Sequence, residues 1–198
     1  MRPLIRSRVA NAAMAATVAG VAGIVALVTI ALFYALGQPW GTLNDVAFVV
    51  EVLAIAPLML GSYELGGVTP LWPARLSLAG GIAACLVWAV IHLAFIAGIV
   101  SFDYEHAATG AFLVENVALV VIGLWLSGAP PLAGPWLPAA LKVLGALGGL
   151  GFVFAGLGLI LGGMDHPLAW IGGVGYLILF PIWALLVARV FRTRIPAG

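Results

Sequence analysis

Charge is what this sequence most lacks: only 8% of its 198 residues are Asp, Glu, Lys or Arg. Soluble domains carry about 25%, so water-soluble enzymes and binding modules are excluded. A basic nucleic-acid surface is excluded with them. Cysteine is nearly missing too. The single Cys85 cannot close an intrachain disulfide, and its place in an apolar run marks a packing residue, not a reactive thiol. No Asn-x-Ser/Thr acceptor for N-glycosylation occurs anywhere.

What remains is 64% hydrophobic, enough for one compact membrane domain over residues 1–198. Arg2, Arg6 and Arg8 resemble the basic start of a secretory signal. The apolar stretch from Val9 to Leu36 is too long for one, however. Signal cores run about 7–15 residues and a spanning helix needs about 20. Six apolar segments follow each other at about 9–36, 44–61, 75–100, 107–127, 139–162 and 167–190. They are separated by turn-forming runs such as Gly37-Gln38-Pro39 and Pro130-Pro131. The expected fold is an all-α polytopic bundle of six transmembrane helices, arranged as three tandem hairpins.

Every Lys and Arg falls at one side of that arrangement. Arg2, Arg6 and Arg8 precede the first helix, Arg75 and Lys142 open the third and fifth, and Arg189, Arg192 and Arg194 close the sixth. By the positive-inside rule both termini are cytoplasmic. The outer face then carries Asp45, Asp103, Glu105, His106, Asp165 and His166, read as solvated loop residues able to funnel cations or protons inward. Trp40, Trp72, Trp136 and Trp170 fall near the interfaces and read as aromatic-belt anchors.

One pattern occurs twice. Ala47-Phe48-Val49-Val50-Glu51-Val52-Leu53-Ala54 returns as Ala111-Phe112-Leu113-Val114-Glu115-Asn116-Val117-Ala118. In both, alanines four residues before and three after the Glu share its helical face, so neighbouring backbones can close around an acid that lipid would not tolerate. An ionisable residue inside a span marks a functional site by default. The copies occupy equivalent places in the first two hairpins, and Tyr176 marks the corresponding depth in the third. Any internal symmetry would be parallel, about the membrane normal.

At a rise of about 1.5 Å per residue, Glu51 lies roughly 9 Å below the outer boundary, and Glu115, His92 and Tyr176 about 12–13 Å. With Asn116, four helices place polar groups in one layer. Isolated charges there would be prohibitively costly. Acids brought close together would share a proton, and His92 could exchange it. That is the chemistry of a proton relay. The same side chains could ligate a divalent ion, but the tight spacing of metal motifs is missing, so no metal site is assigned. Each residue also has a structural reading, as a hydrogen-bonded group gluing helices together.

Helices five and six are rich in glycine. Gly145/Gly149 and Gly158/Gly162 form small-xxx-small faces for helix packing, internally or toward a second copy or a membrane partner. Gly156-x-Gly158 lacks the strand-turn-helix setting of a phosphate loop, and no cofactor is assigned. Pro57 and Pro181 each remove a backbone hydrogen bond within a helix, freeing the carbonyls of Leu53 and Leu177.

Gly37-Gln-Pro-Trp-Gly-Thr-Leu-Asn-Asp45 and the stretch from His166-Pro-Leu through Phe180-Pro-Ile-Trp to Arg189 resemble a group of uncharacterised bacterial six-helix membrane proteins. The resemblance implies six helices and a bacterial inner membrane, and it brings no activity. The preferred reading is movement of a small solute or ion coupled to protonation of Glu51 and Glu115, with the lipid bilayer as surroundings. Its competitors are a structural or regulatory subunit and a membrane-embedded enzyme using a carboxylate as general acid on a lipid-like substrate.

The orientation has a direct test. In a Cys85→Ala background, a cysteine at Met164 should react with impermeant reagents outside the cell, and one at Ser127 should not. The reverse labelling would invert the topology.

Overall fold

The computed structural model describes residues 3–65, 72–100, 110–128 and 135–194, with side chains from residue 7 onward. Within them all regular structure is helical. The first five spans are α1 (Pro3–Leu36), α2 (Trp40–Leu65), α3 (Trp72–Ile96), α4 (Gly110–Ser127) and α5 (Ala139–Gly162). The sixth span, Pro167–Arg194, is composite. It comprises α6 (Pro167–Val174), a π-helical turn (Gly175–Leu179) and α7 (Phe180–Arg194). All six spans are long and apolar enough to cross a membrane. Helices meet that requirement because each satisfies its own backbone where no water can.

Glycine closes the helices where left-handed backbone is needed. Gly37 (φ 77°) ends α1 and donates its N–H to the Phe33 carbonyl at 2.8 Å. Gly163 (φ 65°) ends α5 in the same way, bonding the Leu159 carbonyl. At Pro181 the expected break takes a specific form. The π turn lies immediately before the proline, and the Phe180 N–H reaches back five residues to the Gly175 carbonyl. Such one-turn widenings are a known response to local misfit in a helix. Pro57, by contrast, sits inside a continuous α2.

The packing order follows the chain. α1 packs on α2, α2 on α3, α3 on α4, α4 on α5 and α5 on the sixth span; α7 then returns to α1. The six spans therefore close into a ring. At the usual helix separation of about 8–10 Å, such a ring leaves a central column as wide as one more helix. Toward the basic end the interior is packed with large buried side chains. Phe152, Phe180, Trp183 and Phe191 are fully buried, with Phe152 and Phe180 edge to face at 5.1 Å between ring centroids. The outward faces carry exposed apolar residues such as Val28, Val90, Leu124 and Leu161, the surface a bilayer would cover.

The basic ends of the first, second and sixth spans and the turn before the fifth are tied together. Arg8 pairs with Glu64 at the end of α2. Arg192 donates to the Thr17 hydroxyl at 2.9 Å, and Arg194 to the Trp136 carbonyl at 3.4 Å. Trp136 itself is 4% exposed and stacked on Phe191, so it is a core residue and not the interfacial anchor the sequence led us to expect. Trp72 and Trp170 are exposed as anchors would be.

The glycines of α5 are consumed within the chain. Gly149 faces α4, where an added Cβ would lie 2.9 Å from the Gly123 carbonyl, while Gly145 and Gly148 make room for Trp183 and Phe180 of α7. Gly158 packs on Ala169 of α6. The small-residue face is thus occupied internally, which removes the reason to reserve it for a second copy or a partner. A close backbone crossing also pairs Gly151 with Gly175 at the start of the π turn; a Cβ on Gly151 would come 2.5 Å from the Gly175 Cα.

Gly151→Ala should therefore cost about 1–3 kcal/mol as overpacking. Gly80→Ala, on a helix with no described atom within 4 Å of the new Cβ, should be neutral or stabilise by about 0.5–1 kcal/mol. Unfolding in detergent micelles measures both; equal effects would refute the crossing.

Candidate functional site

Opposite the basic end the central column is not filled. It holds a cavity of about 310 Å³ to which all six spans contribute. The cavity runs from Gln38 and Met164, at the loop end, down to Val52 and Leu119. Glu51, His92, Glu115, Asn116 and Tyr176 all line it, so the polar residues of four helices share one space.

His92 is its centre. The Nδ1 atom lies 2.6 Å from a Glu115 carboxylate oxygen, the length of a charge-assisted hydrogen bond. On the other side Nε2 faces Asp45 at 3.5 Å, a looser ion-pair distance. The ring is clamped by Trp88, one turn earlier on α3, stacked at 4.3 Å and 14°. Phe95 tilts against its other side. A neutral imidazole can donate to only one carboxylate, whereas an imidazolium donates to both. The arrangement joins α2, α3 and α4 through a single titratable ring.

Asp45 therefore departs from expectation. Instead of a solvated outer-face residue, it is a cavity residue with its side chain 26% exposed. The reason is the helix start: α2 begins at Trp40, not near Asn44, which puts Asp45 inside the helix. Asn44 beside it is buried and donates to the Ala26 carbonyl of α1 at 2.7 Å. Asp165 is exposed, and His166 caps α6 by accepting from the Leu168 N–H at 3.3 Å. Asp103, Glu105 and His106 lie outside the described residues.

Glu51 is a separate acid. Glu115 is paired with His92 and not with Glu51, so the proton shared directly between the two acids is replaced by an imidazole between Glu115 and Asp45. Glu51 is 1% exposed, and its Oε1 has no hydrogen-bond partner among the described residues. Space for it comes from Gly23 of α1, where a Cβ would fall 2.5 Å from that oxygen. Phe48, one turn before Glu51 on the same face, meets the Tyr176 ring at 5.6 Å, and Tyr176 meets Phe152 at 5.4 Å. Asn116 is likewise buried with its amide nitrogen unpartnered among the described residues.

The cluster is not shaped for a metal. An ion takes one lone pair from imidazole, but here the two carboxylates address opposite nitrogens of the same ring, so the donors do not converge. The sequence places Asp45 only in the outer cluster and gives no sign of Trp88 or Gly23, nor of Glu64, the anchor of Arg8. Asp45 was recoverable from Pro39 and Trp40, since proline commonly precedes or opens a helix.

Compared with known protein families, curated proteins and solved structures, the chain matches none.

Because the two arms of His92 differ in length, their energies should differ. In double-mutant cycles with alanine, His92 and Glu115 should couple by about 1–3 kcal/mol, and His92 and Asp45 by less than about 1 kcal/mol. Denaturation in micelles reads both, and additivity of the Glu115 cycle would contradict the geometry.

Proposed function

We propose that this membrane protein moves a small solute or ion, with the movement coupled to protonation in the cavity. The observation that carries the reading is the imidazole of His92 held between two carboxylates inside a space lined by all six spans. Intramembrane acids and histidines in a cavity are the usual apparatus of proton-linked pumps and transporters. A scaffold would gain more from a packed apolar layer than from buried acids. Lining by every span also means that any shift among the helices alters the cavity.

On this reading the ring is open at its acidic end and closed at its basic end by Phe180, Trp183 and Phe191. Alternating access requires those rings to move. The π turn and Pro181 lie directly beside them, where the hydrogen-bond ladder of the sixth span is already interrupted. Applied to the distribution of Lys and Arg, the positive-inside rule puts the closed end in the cytoplasm. The cavity then faces the exterior of a plasma membrane, a bacterial inner membrane on the resemblance noted above.

Reconstitution tests this. Vesicles carrying the protein and a pH gradient should take up or release at least one member of a panel of labelled amines, amino acids, sugars and metal ions. Glu115→Gln and His92→Gln should each slow that movement by about a hundredfold, as expected for a lost proton-transfer group. If no member moves with or without the gradient, and Glu115→Leu chiefly destabilises the fold, the protein is a scaffold.

A further inference from the structure

Resting on the transport reading, the cavity also constrains what is carried. We infer that it binds a small organic monocation, an ammonium-bearing molecule, with Glu51 as the counter-ion and the Phe48, Tyr176 and Phe152 rings as its apolar cradle.

The charge balance points one way. Three carboxyl groups line the cavity, and among the described residues no Lys or Arg does. Among the described lining residues the basic group is His92, which already faces a carboxylate from each nitrogen, so no unneutralised positive charge is left to receive an anion. Glu51 is different. Its carboxylate is almost wholly buried, lines the cavity and keeps an oxygen without a partner among the described residues. A buried acceptor left unmet costs free energy, and a cationic N–H group is the partner that best removes that cost.

The walls add a second constraint. Phe48 and Glu51 are on one face of α2, and Tyr176 touches Phe48 on one side and Phe152 on the other. Aromatic faces beside an acid attract organic cations through their quadrupoles. A bare metal ion would demand converging oxygen ligands instead. At about 310 Å³ the space lies at the small end of ligand pockets, which span about 300–1,000 Å³.

Proton and cation would then compete for the same acid, which makes the coupling an exchange. Among the described residues the titratable groups facing this space are Tyr34 from α1, Asp45 and Glu51 from α2, His92 from α3, Glu115 from α4 and Tyr176 from the sixth span. Among the described residues α5 presents only apolar side chains, Phe152 and Leu159. Displacement of one proton tightens cation binding by at most about tenfold per pH unit.

Calorimetry on the full-length protein in phosphatidylglycerol nanodiscs tests the assignment without requiring transport. The probes are n-butylammonium, its neutral analogue n-butanol and the anion n-butyrate, together with tetramethylammonium. n-Butylammonium should bind, more tightly as pH rises; tetramethylammonium, with no N–H to donate to Glu51, should bind more weakly, and the alcohol and anion should not bind. Glu51→Gln should weaken n-butylammonium by about tenfold or more, and Phe48→Leu by about threefold. Adding phosphatidylethanolamine distinguishes the source of the ammonium: competition assigns the site to a lipid headgroup, and its absence to a free amine. Equal binding of butyrate or butanol, or unchanged cation affinity in Glu51→Gln, would overturn the inference. Should Glu51→Gln fail to fold, the charge series on the unmodified protein decides alone. Cation binding without movement in vesicles would sink the transport reading and leave the site intact.

Discussion

A ring of six helices at normal packing distance leaves an axial column that its backbones do not fill, and the contents of that column govern the rest of the structure. In lipid, association gains little from hydrophobicity, so helices close on one another through packing and polar contacts. Toward the basic end the interior is solved by volume: Trp183, Phe180 and Phe191 are buried there, and Gly145 and Gly148 recede to admit two of these rings. Toward the acidic end it is solved by polarity, with a cavity whose groups partly satisfy one another. The glycines of α5 and the aromatics of α7 are therefore one feature seen from two sides.

The tight α4–α5–sixth-span side contrasts with the side that carries the acids. Where backbones meet at Gly123/Gly149 and Gly151/Gly175, side chains have almost no freedom. The α2–α3–α4 side is joined instead by Asp45, His92 and Glu115 through the cavity. A rigid wall opposite a hydrogen-bonded wall is a division of labour. The first fixes where Tyr176 enters the interior, and the second can respond to a proton, because one ring nitrogen changes from acceptor to donor when His92 is protonated.

Much of this was legible in the sequence because membrane constraints are severe. Six spans followed from apolar length alone, and the Glu51 and Glu115 repeat marked residues that line one cavity with His92, Asn116 and Tyr176. The misses share a cause. Asp45 and Trp136 lie near span ends, where polarity and aromaticity read as interfacial whether or not the segment folds inward. A shift in the start of α2 is enough to turn Asp45 toward His92. The internal use of the glycines was equally hidden, since a small-residue face names no partner and only the ring closure supplies one. Which acid His92 would choose depended on side-chain reach across three helices, information absent from spacing along any one of them.

Glu51 and Glu115, so alike in sequence, have different surroundings because their neighbours in the ring differ. Glu115 faces α3, which brings an imidazole; Glu51 faces α1, which brings Gly23 and no donor. A carboxyl placed against a glycine gains room but no hydrogen bond, and burial without a partner is the expensive choice for a polar group. The repeat thus meets opposite surroundings, one acid hydrogen-bonded to His92 and the other with an oxygen that has no partner among the described residues.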